Sequence, residues 1–214
     1  WKGCKRKLTR VRISPPPPTM NNFPILEKAI KSAPAIIVPG RGYMFKYYAF
    51  SEAGGFVDSK LREEISQGLY ASVKHNFLKF DIVVSPFPAG VPWGLAVANE
   101  FEKPLVSIRV WPSNRRWSRF PDEFYVPIIV FRSTGYYNDR LYFNRKDYKR
   151  GSRVLVVDDV VSTGGTLDII LHTLKEELGV IPVGAQAIVS KADSYKDLEQ
   201  KYQIPIRFLA EDKV

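Results

Sequence analysis

The chain is poor in cysteine and histidine and has no long apolar run, features on which disulfide-built, metal-scaffolded and membrane-spanning proteins depend. Its 214 residues include one cysteine, Cys4. That excludes disulfides within the chain and favours an intracellular, cytoplasmic setting. No apolar run approaches the roughly 20 residues that cross a bilayer, so no membrane partner is expected. Histidine occurs only twice, and His75 falls in a helical pattern without a metal-ligand companion. The first residues lack the apolar core of a secretory signal. There is no internal repeat and no sign of a second folded domain.

Positive charge is plentiful, with a net charge of +10, which raises the question of nucleic acid. Its placement argues against that partner. Residues 1–19 hold Lys2, Lys5, Arg6, Lys7, Arg10 and Arg12 and no acid. They carry +6 of the +10 and leave +4 for everything from Met20 onward. This basic stretch has no periodicity and ends in Pro15–Pro18, which favours an extended conformation. It reads as a leader upstream of a natural start at Met20. Residues 20–214 are expected to form a single domain.

The stretch that organises the chain is Val154-Leu-Val-Val-Asp-Asp-Val-Val-Ser-Thr-Gly-Gly-Thr-Leu167. Val154 to Val157 is all apolar, as a central parallel strand covered on both faces would be. Asp158 and Asp159 fall where this strand is expected to end, and open α/β sheets bind ligands at that edge. Two adjacent carboxylates there are costly unless something binds them. Val161 to Thr166, with Ser162, Thr163, Gly164 and Gly165 between, offers backbone N–H groups and hydroxyls that can wrap an anion. A helix predicted from about Leu167 aims its positive end at the same place. Acids beside an anion cradle suit one ligand class, a sugar phosphate: carboxylates hold the hydroxyls and donors hold the phosphate. No Gly-Lys-Ser/Thr follows, so this is not a nucleotide-binding P-loop.

The rest of the chain alternates strand and helix. A helix opens near Asn22 and stops before Pro34, and Ala35–Val38 is a short strand. Tyr43–Phe50 is dense in aromatics and reads as a strand or a covering segment. Leu61–Phe80 repeats its apolar residues at near four-residue spacing, as a long helix does. Asp81–Val84 is the first core strand, with a helix over 91–101 and a strand over 104–109 after it. Tyr125–Phe131 and Leu141–Phe143 form an antiparallel hairpin. After the central strand and helix come a strand over 182–189, a short helix over 195–201 and a last strand over 205–209. The pattern predicts an α/β fold: a Rossmann-like central parallel sheet with flanking helices and right-handed crossovers, a flexible hairpin loop and a small hood.

The apolar strand, the Asp158-Asp159 pair and the Thr163-Gly-Gly-Thr166 loop resemble the signature of the type I phosphoribosyltransferases. The resemblance implies phosphoribosyl pyrophosphate (PRPP) and a purine base as partners, and Mg²⁺ arriving with PRPP as cofactor, with Asp158 as a possible ligand. It implies that Val161–Thr166 holds the 5′-phosphate. It also implies a pyrophosphate-binding loop after the first core strand, where Phe87-Pro88-Ala89-Gly90 stands in the place of the Glu-Ala-Arg-Gly of adenine-specific members. Gly90 matches, and Ala89 replaces the arginine. Arg109 resembles the pyrophosphate-facing arginine of the next strand. Val110 and Trp111 replace the lysines that usually follow, and Arg115, Arg116 and Arg119 are candidates to compensate. Tyr136 aligns with the tyrosine of a loop that closes over the substrates. Gly135 replaces the glutamate before it, and Asp139 takes the aligned acidic position. Lys191 aligns with a lysine that contacts the exocyclic oxygen in 6-oxopurine enzymes, and Phe208 is the candidate stacking residue in a C-terminal hood.

By this resemblance Asp158, Asp159 and Tyr136 are the catalytic candidates, with Asp159 proposed as general base. The implied activity is purine salvage, adenine placed slightly ahead of hypoxanthine or guanine. The alternative is a PRPP-sensing transcriptional regulator of the same fold. Homodimers are common in the family.

Overall fold

The computed structural model describes residues 23–37, 44–51, 57–77, 79–112, 125–131 and 139–213. The leader, residues 38–43, the segment with Arg115, Arg116 and Arg119, and Gly135-Tyr136 lie outside the described residues.

Seven strands form one sheet, ordered β5-β6-β4-β3-β7-β8-β9. They are β3 (Ile82–Phe87), β4 (Leu105–Pro112), β5 (Tyr125–Phe131), β6 (Asp139–Asn144), β7 (Arg153–Val161), β8 (Ile181–Ser190) and β9 (Ile206–Glu211). The run β4-β3-β7-β8-β9 is parallel throughout. Strand β6 joins β4 antiparallel, and β5 closes the edge as the other half of the expected hairpin. Two short strands, β1 (Ala35–Ile37) and β2 (Met44–Lys46), pair with each other outside the sheet.

Helices cover both faces. On one side α1 (Pro24–Lys31), α2 (Ser59–Asn76) and α3 (Val91–Glu100) pack over Val83, Leu155 and Val157. On the other, α4 (Gly165–His172) and α5 (Tyr195–Tyr202) pack over Val84, Val154 and Val156. The strict alternation of Val154 to Val157 between these two cores is why β7 reads as a continuous apolar run. Helix α2 shows the same economy of pattern. Asp58 caps it by accepting from the backbone N–H groups of Lys60 and Leu61. Leu61, Ile65, Leu69 and Val73 are each at most 5 % exposed, and burying such a side chain stabilises the fold by about 1.5–3 kcal/mol.

Several boundaries differ from the sequence reading. Helix α2 ends at Asn76 rather than near Phe80, because Phe77 takes an extended conformation as its cap. Helix α4 starts at Gly165, two residues before Leu167. A further difference is that β7 does not stop at Val157. It continues to Val161 because its ladder with β8 runs on through Asp158↔Ala187 to Val161↔Ser190.

Taken in chain order, the five parallel strands lie 2-1-3-4-5, so the direction of winding reverses between β3 and β7. The ladder across that gap is short. It pairs Ile82↔Val154, Val83↔Leu155 and Val84↔Val156 and then ends. Beyond it β3 stays with β4 as far as Phe87↔Arg109, and β7 stays with β8. The two central strands part while each keeps its outer neighbour, which opens a crevice at the carboxyl end of the sheet. Open α/β sheets bind ligands at such a switch point.

Candidate active site

Two loops meet at this crevice. The first leaves β3 through Phe87-Pro88-Ala89-Gly90, with a cis peptide between Phe87 and Pro88. Gly90 is the N-cap of α3 and makes no side-chain capping bond; its own N–H donates to the Pro86 carbonyl at 3.1 Å, Pro92 has none, and Trp93 N–H donates back to the Gly90 carbonyl at 3.2 Å, so the Val91 N–H is the first-turn donor left for a ligand. Pro88 is exposed, Ala89 half-buried and Gly90 buried. The second loop leaves β7 through Ser162-Thr163-Gly164 and enters α4. Gly164 has φ of +80° and caps α4 without a side chain. This left-handed residue turns the chain so that the helix N-terminus faces back toward the strand end. Ser162 and Thr166 are half-buried and Thr163 is exposed, so hydroxyls surround the cradle.

Asp158 and Asp159 stand between the loops. They are 8 % and 7 % exposed, and the Asp159 backbone N–H donates to Asp158 Oδ1 at 2.9 Å. Among the described residues no lysine or arginine forms an ion pair with either carboxylate. Burial, followed by the charge of Asp159, pushes the Asp158 carboxyl well above the usual carboxylate range. A cation or a set of hydroxyl donors in the crevice would relieve that cost. The site therefore fits a sugar whose hydroxyls, or a divalent ion bound to it, meet the acids while its phosphates meet the two helix N-termini. No group of three or more metal-ligating side chains exists among the described residues.

The other sequence-predicted residues divide. Arg109 sits opposite Phe87, the last pair of the β3–β4 register, inside β4, which continues to Pro112, and its side chain is exposed. It shares the sheet edge with the first loop. Lys191 directly follows β8, and its backbone N–H donates to the Val161 carbonyl at 2.9 Å, which places it beside the second loop. Its ammonium lies 4.6 Å from the centre of the Tyr48 ring and donates to the Lys46 carbonyl at 3.3 Å.

Phe208 belongs to β9, pairs with Ala187 and makes a T-shaped contact with the ring of Tyr195 of α5, centres 4.8 Å apart. Arg207, Phe208 and Leu209 complete the sheet as the expected last strand, with Arg207 tied to Glu199 at 2.6 Å. The residues after it bring Asp212 to Lys46 and Tyr48. Tyr136 lies outside the described residues.

Sequence reasoning missed the partners of the aromatic stretch after β2. Tyr48 stacks on Phe50 with ring centres 5.2 Å apart and planes 9° apart. The Phe50 carbonyl accepts from Trp93 Nε1 of α3 at 3.0 Å. The Tyr48 hydroxyl donates to Asp212 at 2.5 Å, and Lys46 Nζ reaches both Asp212 oxygens at 2.9 and 2.8 Å. The aromatic density of this stretch was a signal, but nothing marked Asp212.

A family model described as the phosphoribosyl transferase domain matches residues 57–206. The chain belongs to the phosphoribosyltransferase family. Among curated relatives, the hypoxanthine/guanine phosphoribosyltransferase of Methanohalophilus mahii is 32 % identical over 174 residues, covering 81 % of this chain and 83 % of that protein. The protein of the same description from Ferroglobus placidus is 31 % identical over 177 residues, covering 82 % and 84 %. The fold resembles the solved adenine phosphoribosyltransferase of Thermoanaerobacter pseudethanolicus, with a TM-score of 0.66 at 23 % identity, covering 87 % of this chain and 99 % of that one. The enzyme of the same description from Saccharomyces cerevisiae gives 0.66 at 18 %, covering 86 % and 97 %. The family match starts at Val57, at the entrance to α2, and takes in both crevice loops, the acid pair, Arg109 and Lys191.

Proposed function

We propose that this phosphoribosyltransferase makes purine nucleotides by transferring the phosphoribosyl group of PRPP to a ring nitrogen of the base and releasing pyrophosphate. The observation that carries the reading is the buried Asp158-Asp159 couple, without an ion pair to a lysine or arginine among the described residues, set beside the N-termini of α3 and α4 at the switch point. Asp158 and Asp159 hold the ribose hydroxyls, and their negative field favours the positive charge that develops on the sugar as its bond to pyrophosphate breaks. The loop from Val161 to Thr166 anchors the 5′-phosphate, remote from the breaking bond, and so fixes orientation. The loop Pro88, Ala89 and Gly90, through the Ala89 and Val91 N–H groups, and the Arg109 guanidinium receive the leaving pyrophosphate. Bound with PRPP, Mg²⁺ would supply charge neutralisation at the phosphates, with Asp158 the residue nearest in kind to a ligand. Asp159 is proposed as the base for the purine proton, and Tyr136 as part of a loop closing over the substrates.

Two purine classes are in play. Hypoxanthine or guanine is supported by the description of the curated relatives at 29–32 % identity and by Lys191, whose ammonium suits an oxo group. Adenine is supported by the resemblance of the Pro88–Gly90 loop and of Ile108-Arg109 to adenine-specific members. We further propose a homodimer working in the cytoplasm; among the described residues no helix is long and apolar enough to cross a membrane.

The test is a product assay with PRPP, Mg²⁺ and one base at a time: adenine, hypoxanthine, guanine, xanthine, uracil and orotate, read by chromatography. IMP or GMP is the expected product, and AMP alone would assign the adenine reading. Failure to form nucleotide from any of the six bases would overturn the transferase reading.

A further inference from the structure

We infer that Asp212 is the positioning residue for base selection, acting through Tyr48 and Lys46 to hold the Lys191 ammonium at the edge of the crevice. The inference rests on the phosphoribosyl-transfer reading for the identity of the ligand. Its geometry stands on its own.

Lys191 stands one residue past β8, and through its backbone bond to Val161 it adjoins the loop that begins at Ser162. A lysine side chain gives up much rotamer freedom when fixed, so a lysine that reads a base needs something to hold it. Here the ring of Tyr48 lies under the ammonium at 4.6 Å and the Lys46 carbonyl accepts from it at 3.3 Å. Both holding groups are themselves held by one residue. Asp212 takes the Tyr48 hydroxyl on one oxygen and the Lys46 ammonium on both. Its own backbone N–H donates to the carbonyl of Ser190 at 2.8 Å, the residue immediately before Lys191.

The contacts therefore close on themselves. They run from Ser190 to Lys191, across to Tyr48 and Lys46, on to Asp212, and back to Ser190. A residue that fixes both the root of a side chain and the groups that seat its tip sets where that tip points. The clamp is well buried: Tyr48 is 1 % exposed, and the Lys46 and Asp212 side chains are 24 % and 14 % exposed. Tyr48 also stacks on Phe50, whose carbonyl is tied to Trp93 of α3. The base-side clamp is thereby joined to the helix that follows the pyrophosphate loop.

An ammonium is a donor only. Held at this edge it favours a base presenting an oxo acceptor and opposes one presenting an exocyclic amine. Loss of Asp212 should loosen the aim of Lys191 without touching the phosphate loops or the acid pair.

The experiment compares wild type with Asp212→Asn, Tyr48→Phe and Lys191→Ala in two ways. Steady-state kinetics gives KM for hypoxanthine and for PRPP separately. Equilibrium titration with IMP and with AMP gives the preference between oxo and amino nucleotides without any turnover. Asp212→Asn is expected to raise KM for hypoxanthine about 10-fold, the size of one charge-assisted hydrogen bond, with KM for PRPP unchanged. It is expected to shrink the preference for IMP over AMP by a similar factor, as Lys191→Ala does. Tyr48→Phe keeps the ring and loses only the hydroxyl, so a smaller shift in the same direction is expected even if Asp212→Asn fails to fold. KM values for base and PRPP rising together, a melting temperature falling with no change in preference, or an IMP preference that survives in Lys191→Ala would each overturn the clamp. No turnover with any base, alongside an IMP preference that still depends on Asp212, would remove the transferase reading and leave the clamp standing.

Discussion

Gly90 and Asp158 touch across the crevice: a Cβ built on Gly90 would lie 2.9 Å from Asp158 Oδ1 and 3.0 Å from the Pro86 carbonyl. The loop after β3 and the acids of β7 are thus packed as one surface, although their strands stopped pairing at Val84 and Val156. A methyl group at Gly90 must push the carboxylate or the loop aside. Gly90→Ala is expected to raise KM for PRPP at least 10-fold, since sub-ångström displacement of positioning groups is costly to transfer. Its circular dichroism spectrum should match wild type. Unchanged kinetics would show that the two loops do not share a ligand.

Asp158→Asn should separate stability from activity. The folded carboxyl titrates above the unfolded one, so ionising it disfavours the fold. That penalty is absent below the unfolded value and grows as pH rises toward and through the folded one. The substitution removes it, so the melting temperature should rise relative to wild type at pH 7–8 and the gain should fade toward pH 4. Nucleotide formation should fall by about 100-fold or more, the scale of a lost electrostatic group at a reacting centre. Paired melting curves and assays across this range give both readings.

Arg109 is exposed and makes no ion pair among the described residues. Arg109→Ala should therefore leave the melting temperature in place while raising KM for PRPP about 10- to 100-fold, as loss of a charged hydrogen-bonding partner to phosphate does. Arg109→Lys should recover only part of the loss, because an ammonium does not grip two phosphate oxygens in a fork. Initial-rate measurements at varied PRPP distinguish this from a change in kcat.

Gly164→Ala tests the second loop. The residue holds φ of +80°, and a Cβ there would meet Leu198 Cδ1 at 3.1 Å. A left-handed alanine costs about 1–2 kcal/mol, which urea unfolding would detect. The same change should weaken binding of ribose 5-phosphate, because the turn that aims the α4 N-terminus is distorted. Loss of stability with full ribose 5-phosphate affinity would place the phosphate elsewhere.

Leu69→Ala tests the fold apart from the site. Leu69 is fully buried in the core beneath α2, so its truncation should cost about 2–5 kcal/mol in chemical denaturation. Activity per folded molecule should be retained.

Much of this was legible in the sequence where local pattern and final environment agree. Val154 to Val157 faces helices on both sides, so it is apolar at every position, and the acids after it are conspicuous. The extent of β7 was not legible, because its last four residues are held by β8 rather than by their own pattern. The covering of Lys191 was also hidden. Tyr48 and Asp212 are 164 residues apart, and only the folded chain brings the end of β9 beside the segment after β2. The strand holding Phe208 was legible as an apolar run, but its T-shaped contact with Tyr195 of α5 was not.

The crevice between β3 and β7 is the centre of the proposal, and titration calorimetry with PRPP and Mg²⁺ tests it most directly. The predicted result is one PRPP per chain for the wild type and loss of at least 10-fold in affinity for the Asp158→Asn, Asp159→Asn double variant, with its fold intact by circular dichroism. Equal affinity in the two proteins would contradict a sugar-phosphate site built on this acid pair.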